Sequence, residues 1–220
     1  MKTTLLVLAL NEIEGMKTIM PHVKKQWIDE ILVFDGGSTD GTIEYAKSKG
    51  YRVVMQKSKG ITNAYREALK VAKGDYIIAF SPDGNSLPEA IPRLVAKIKE
   101  GYDMVIASRY ARGAKSEDDD PVTAFGNWMF TKLINICFGG KYTDTLVMLR
   151  AFRKDIVKKI PIGFPRAGLE PILSIQCAKL KLKVTEIPAS EPKRIGSVRK
   201  MKPLLNGLDI FRLIFVELIH

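Results

Sequence analysis

The stretch YIIAFSPDGNSLPEA (residues 76–90) decides the architecture. A short apolar run, Tyr76 to Phe80, stops abruptly at Ser81-Pro82. Proline cannot donate to a strand ladder, so the strand ends there. Asp83 follows on a glycine turn, and the spacing predicts an amphipathic helix over 88–100, ended by Gly101. An apolar run without alternation reads as a strand buried on both faces, as in parallel sheets. The turn after it presents one carboxylate, Asp83, and one amide, Asn85, with Ser81 just before.

The same rhythm extends outward from this stretch. Strands are expected over 3–10, 30–35, 52–56 and 104–108, besides 75–80. Helices are expected over 12–24 with Asn11 as its cap, over 42–49 and over 61–73. Strand–helix alternation of this kind argues for an α/β fold with a mostly parallel, doubly wound sheet. After Arg109 the rhythm changes. Residues 111–121 read as a polar loop, and its acidic run Glu117–Asp120 as a mobile part of it, with a second cation site as the alternative. Residues 123–138 are apolar and sparsely charged. A strand over 146–152, a helix over 171–179, a strand over 183–187, a basic segment over 193–200 and an amphipathic helix over 203–220 complete the expectation. The chain is read as one domain, 1–220, in which residues 111–202 elaborate on 1–110 and residues 203–220 form a terminal helix.

The 220 residues carry a formal charge of +11, and 46% of them are hydrophobic. That composition supports a full core and excludes disorder. The charge points to anionic ligands or surfaces, although a lysine-rich solvated surface gives the same sum. Nucleic acid is disfavoured, because no basic helix is interleaved with aromatics. Cys137 and Cys177 follow no metal or redox spacing and read as core thiols. No apolar segment approaches the roughly 18 residues needed to span a bilayer. The reading is cytoplasmic, or peripheral to the cytoplasmic membrane face.

In an open parallel sheet, ligands bind beyond the carboxyl ends of the strands. Those ends carry Asn11-Glu12, Asp35-Gly36-Gly37-Ser38, Ser81-Pro82-Asp83 and Ser108-Arg109. Acidic groups gathered at one edge repel unless a cation or specific ligand joins them. Mg²⁺ or Mn²⁺ suits such a site, since these hard cations take few protein carboxylates and several phosphate oxygens. Asp40, in Asp-Gly-Thr, reads instead as a turn and helix-cap residue.

Seven short motifs occur in order: LALNE (8–12), FDGGSTDGT (34–42), SPDGNSLPEA (81–90), ASRY (107–110), DTLVMLRAF (144–152), GLE (168–170) and KRIGSVRK (193–200). The ordered set resembles the family 2 glycosyltransferases of GT-A fold, above all the dolichyl-phosphate mannose or glucose synthase group. The resemblance covers nearly the whole chain. It implies an inverting transferase that moves a sugar from a UDP- or GDP-linked donor to a polyprenyl phosphate. Transfer to a sugar hydroxyl of a glycan or lipid-linked oligosaccharide is the alternative, and a non-catalytic nucleotide-sugar-binding module is a third.

The resemblance places Leu8, Leu10, Glu12, Asp35, Ser81 and Asp83 at the donor nucleotide. It places a metal on Asp83, with Asn85 as second ligand. Ser81 stands where the family has the first carboxylate of its Asp-x-Asp, and Gly36 stands where it has a second Asp. Arg109, Arg194, Ser197, Arg199 and Lys200 are implied at acceptor or donor phosphate, and Asp83, Arg109 and Glu170 in catalysis. Pro171 replaces the Asp that acts as general base in processive relatives. A phosphate acceptor fits that loss, because it is already anionic and needs little deprotonation.

Phe125, Trp128, Met129, Leu133, Ile136 and Cys137 recur at helical spacing, as do apolar residues through 204–219. Core packing is the ordinary reading of such stripes. With basic residues nearby, the other is an interfacial helix on lipid, which the resemblance favours. A homodimer seam is a further reading of the terminal helix.

Overall fold

A computed structural model of the protein describes residues 1–159, 164, 166–196 and 202–219. One seven-stranded sheet runs in the order β3-β2-β1-β4-β6-β5-β7. Its strands are β1 (Thr3–Ala9), β2 (Glu30–Asp35), β3 (Arg52–Met55), β4 (Tyr76–Phe80), β5 (Met104–Ser108), β6 (Arg150–Arg153) and β7 (Val184–Pro188). The helices are α1 (Ile13–Ile19), α2 (Thr42–Ser48), α3 (Ile61–Val71), α4 (Ala90–Lys99), α5 (Pro121–Phe138), α6 (Glu170–Lys179) and α7 (Pro203–Ile219).

β1, β2, β3 and β4 are mutually parallel. β6 is antiparallel to both β4 and β5, so β5 runs the same way as β4, and β7 follows β5. The carboxyl ends of β1, β2, β3, β4, β5 and β7 therefore share one edge. Leu5, Leu6, Val7, Leu32, Val33, Ile77, Ile78, Val105 and Ile106 fill the sheet's core, as their unbroken apolar runs predict. Cys177 is buried, Cys137 is half-buried, and both are free thiols.

Three expectations are corrected. The first helix ends at Ile19, because Pro21 cannot continue it and the chain tightens into a 3-10 turn over Met20–His22. Asn11 does not cap that helix: it adopts a left-handed φ of 52°. The N–H of Ile13 donates instead to Asp40 Oδ2 at 3.0 Å, so the cap comes from the neighbouring loop. Asp40 also accepts from the N–H and hydroxyl of Thr42, the turn-and-cap role expected of it. β6 starts only at Arg150, because the Asp144 carboxylate accepts from the N–H groups of Leu146 and Val147 and turns the chain there.

One backbone contact fixes the edge. A Cβ on Gly15 would stand 2.0 Å from the carbonyl oxygen of Pro82, so α1 rests directly on the turn after β4. Gly15→Ala is expected to cost about 1–3 kcal/mol of stability, the usual range for overpacking. Urea denaturation checks it; an unchanged midpoint would show that α1 can lift off the turn freely.

Candidate active site

The shared edge holds the donor-side residues together. Leu8 is half-buried and Leu10 is exposed at the end of β1, beside the buried Glu12. The Glu12 N–H donates to Thr42 Oγ1 at 2.9 Å, which ties the loop after β1 to α2. Asp35 is buried, and its carboxylate closes its own loop. Oδ1 accepts from the N–H groups of Gly37 and Ser38, and Oδ2 accepts from the Ser38 hydroxyl at 2.6 Å. A carboxylate so engaged keeps lone pairs for a further donor, since its two oxygens offer about four acceptor sites.

The turn after β4 carries Ser81, Asp83 and Asn85. Asp83 is buried, and its Oδ1 accepts from the Asn85 N–H at 3.2 Å. Its Oδ2 lies 3.0 Å from the Arg194 guanidinium. The Ile195 N–H donates to the Asp83 carbonyl at 2.7 Å, so segment 193–196 lies directly over the turn. A Cβ on Gly84, where φ is +92°, would meet Ile195 at 2.9 Å, and that position is built for glycine. Asn85 Nδ2 donates to Asp118 at 3.1 Å, while its buried Oδ1 has no hydrogen-bond partner among the described residues. An orphaned amide oxygen beside a buried carboxylate fits a hard divalent cation. Asp83 and Asn85 are thus suited to hold the expected metal. Among the described residues no cluster of three or more His, Cys, Asp or Glu side chains has metal-binding geometry.

Arg109 has a different setting from the open phosphate ligand expected. Its Nε and Nη2 make a bidentate pair with Asp144 at 2.7 and 3.1 Å. Nη1 reaches Glu191 at 3.1 Å and Asp119 at 3.4 Å. Four of its five N–H donors thus face carboxylates in this state. Burial alone would raise the Asp144 carboxyl, but the adjoining guanidinium outweighs it and the pKa is lowered. Burial raises the Glu191 carboxyl, with Arg109 only partly opposing.

Glu170 begins α6 and is buried. It accepts from the Tyr65 hydroxyl at 2.8 Å. Burial raises its carboxyl, against the pull of the neighbouring Arg150. Arg150 is itself buried, donating to the carbonyls of Thr145, Val147 and Glu170. Among the described residues Glu170 thus meets the Tyr65 hydroxyl, with Arg150 nearby. Ser197, Arg199 and Lys200 lie outside the described residues.

The loop after β5 is the part that sequence reasoning misplaced. It is not a free polar loop: Ser116 bridges Glu191 in parallel register, and Ser116 Oγ donates to Glu191 Oε2 at 2.5 Å. Asp118 and Asp119 are thereby brought to Arg194 and Arg109. The acidic run Glu117 to Asp120 was a visible signal, but Asp118 finds its partners 33 positions before it, at Asn85, and 76 after it, at Arg194.

Residues 4–161 match the model of glycosyl transferase family 2. The glycosyltransferase AglJ of Haloferax volcanii is 29% identical over 206 residues, 91% of this chain and 67% of its own length. A dolichyl-phosphate hexose transferase of the same organism is 28% identical over 181 residues, 82% of this chain and 77% of its own. Glucosyl-3-phosphoglycerate synthase from Mycobacterium tuberculosis, solved with Mn²⁺, UDP and phosphoglyceric acid, superposes with a TM-score of 0.76. It covers 99% of this chain and 78% of its own at 22% identity, a likeness of fold, the GT-A fold.

The Arg109 cluster makes a direct prediction. Arg109→Ala leaves three carboxylates facing one another, which is expected to cost about 3–5 kcal/mol of stability. Chemical denaturation measures it; a loss under about 1 kcal/mol would show that water and side-chain movement replace the arginine.

Proposed function

The chain belongs to glycosyl transferase family 2, and from that premise we propose that it transfers a hexose from a nucleoside-diphosphate sugar to a polyprenyl phosphate with inversion. The observation that carries the reading is the turn Ser81–Asn85 under segment 193–196, at the edge where the co-directional strands end. A carboxylate, an amide oxygen and an arginine there suit a diphosphate and its cation. The names of relatives that act on dolichyl phosphate support the acceptor. Glu12 and Asp35 are suited to the ribose and base of a UDP or GDP donor.

Asp83 and Asn85 would hold Mg²⁺ or Mn²⁺, which supplies positive charge against the leaving diphosphate. Arg194 is placed to add a charge-assisted contact to the same phosphates. Arg109, fixed by Asp144, positions the loop beside them and keeps one donor for an acceptor phosphate. The phosphate oxygen of the acceptor attacks the anomeric carbon, and the nucleoside diphosphate leaves with the bonding pair. No carboxylate is needed to deprotonate that nucleophile, which suits a site where Glu170 is turned to Tyr65.

The protein is proposed to lie on the membrane face where such lipids are found. Among the described residues no helix is long and apolar enough to cross a membrane. α7 is amphipathic in the inverted sense. It buries Asp209 and Glu217, the latter accepting from Gln176 and Lys179, and exposes Leu204, Leu208, Phe211, Phe215 and Leu218. α5, packed beside it, exposes Phe125, Trp128 and Ile136, the last 79% accessible. Lys132, Lys202 and Arg212 are exposed on the same helices or next to them. Such a surface suits an interfacial helix pair.

Two outcomes follow. With Mn²⁺, the protein is expected to bind a UDP- or GDP-sugar and to glycosylate a short polyprenyl phosphate, and Asp83→Asn to abolish both; retained metal-dependent binding in the variant would remove Asp83 from the site. Leu208→Glu with Phe215→Glu is expected to lower co-sedimentation with anionic vesicles severalfold at an unchanged Tm. Equal sedimentation would return α7 to another role, a dimer seam among them.

A further inference from the structure

Arg194 occupies the place in which a cation belongs. Its Nη1 lies 3.0 Å from Asp83 Oδ2, and its Nη2 lies 3.4 Å from Asp118 Oδ2. The same Asp118 carboxylate accepts from Asn85 Nδ2 at 3.1 Å and from the Arg194 backbone N–H at 3.3 Å. One guanidinium thus bridges two carboxylates that come from different segments, the turn after β4 and the acidic loop after β5. Beside them Asn85 Oδ1 is buried and unsatisfied, and so is Arg194 Nε, among the described residues. Both are signs of a site whose present occupant does not satisfy it fully.

Ser81 supplies no charge to this turn, so Asp83 is its lone carboxylate. Asp118 stands where a second carboxylate can act. A divalent ion offers two positive charges to the pair and a bond to the Asn85 oxygen, whereas the guanidinium offers one charge and none of its N–H groups donates to that oxygen here. Among the described residues Arg194 is held by this contact and by its segment: the side chain is 20% accessible, and the Ile195 N–H anchors the segment to the Asp83 carbonyl.

We infer that Asp118 completes a cation site with Asp83 and Asn85, and that Arg194 closes this site as an exchangeable internal cation until a divalent ion displaces it. The displaced guanidinium is then released toward the phosphates that arrive with the ion. Metal entry and the position of segment 193–196 become one equilibrium, because the same two carboxylates hold either cation and not both. The inference rests on the reading of Asp83 and Asn85 as metal-holding residues, and it adds a ligand and a gate to them.

The test is Mn²⁺ titration of the full chain without nucleotide, read by loss of the free-ion EPR signal. Circular dichroism melts confirm that each variant is folded. Asp118→Asn is expected to weaken Mn²⁺ binding by at least about tenfold. Arg194→Ala is expected to tighten it by about fivefold or more, since a site closed most of the time binds with its affinity scaled by the open fraction. Lys193→Ala, which removes the same charge next door, is the control and is expected to change little. Tightening in both loop variants alike would reduce Arg194 to a general field effect and overturn the gate. Unchanged affinity in Asp118→Asn and Arg194→Ala, with Asp83→Asn losing Mn²⁺, overturns this inference alone. Unchanged affinity in Asp83→Asn instead overturns the reading on which it rests. If Asp118→Asn does not fold, the Arg194 and Lys193 pair decides the gate.

Discussion

A single guanidinium organises the part of the edge around the end of β5. Arg109 leaves the end of β5 and meets Asp119 from the loop after that strand, Asp144 from the turn before β6 and Glu191 from the segment after β7. None of these carboxylates could be buried beside the others without it, since a buried charge stripped of its partner costs several kcal/mol. The pairing therefore dictates where a polar, eleven-residue loop with little apolar content can go. Once Asp119 is fixed, its neighbour Asp118 falls beside Asn85 and Arg194. The chemistry of the turn after β4 is thus set partly by an ion pair at another strand.

The donor side is held by contacts that leave no room for side chains. Gly15 lets α1 touch the Pro82 carbonyl, and Gly84 lets Ile195 lie on the turn. A strand end, a helix and a later loop are pressed into one unit around Asp83. Such close backbone approach is how a short motif becomes a rigid site: small errors in placement of a catalytic charge lower rates steeply. Ser81, without a carboxylate, shifts the burden of charge to groups from outside the motif, and Asp118 is the group that the fold brings there.

How legible this was in the sequence depended on the range of the interaction. β2 and β5 coincide with their expected spans, because an unbroken apolar run bounded by glycine, proline or a charge has one economical reading. Asp83, Asn85, Asp35 and Glu12 could be placed at the edge because each follows its own strand within a few residues. The Arg109 network could not be read in this way. Its partners come from positions 119, 144 and 191, and nothing local marks Glu191 as anything but a surface acid. Asn11 looked like a cap because asparagine commonly is one; the cap came from Asp40, a neighbour only after the strands had paired. The basic segment was legible as a charge run, but not that its arginine would turn inward to two carboxylates.

The terminal helix makes the last argument. A surface helix ordinarily hides its apolar stripe and shows its charges to water. α7 hides Ile210, Leu213 and Ile214, but it also buries Asp209 and Glu217 and pairs Glu217 with Lys179 and Gln176 of α6. Its remaining large apolar residues are left outside. Burial of a paired carboxylate is a costly way to hold two helices together if packing were the only need, since apolar residues of similar size would serve as well or better. The arrangement makes sense if the outer face is itself a working surface, because then the carboxylates Asp209 and Glu217 have the inner face to occupy while the basic Arg212 stays outside. A transferase whose nucleophile is carried on a lipid needs such a surface within reach of its phosphate-binding edge. The same half of the chain supplies both the charged loop and the outward apolar helices: Arg109 and Asp144 tie the loop to the end of β5, and Glu217 ties α7 to α6.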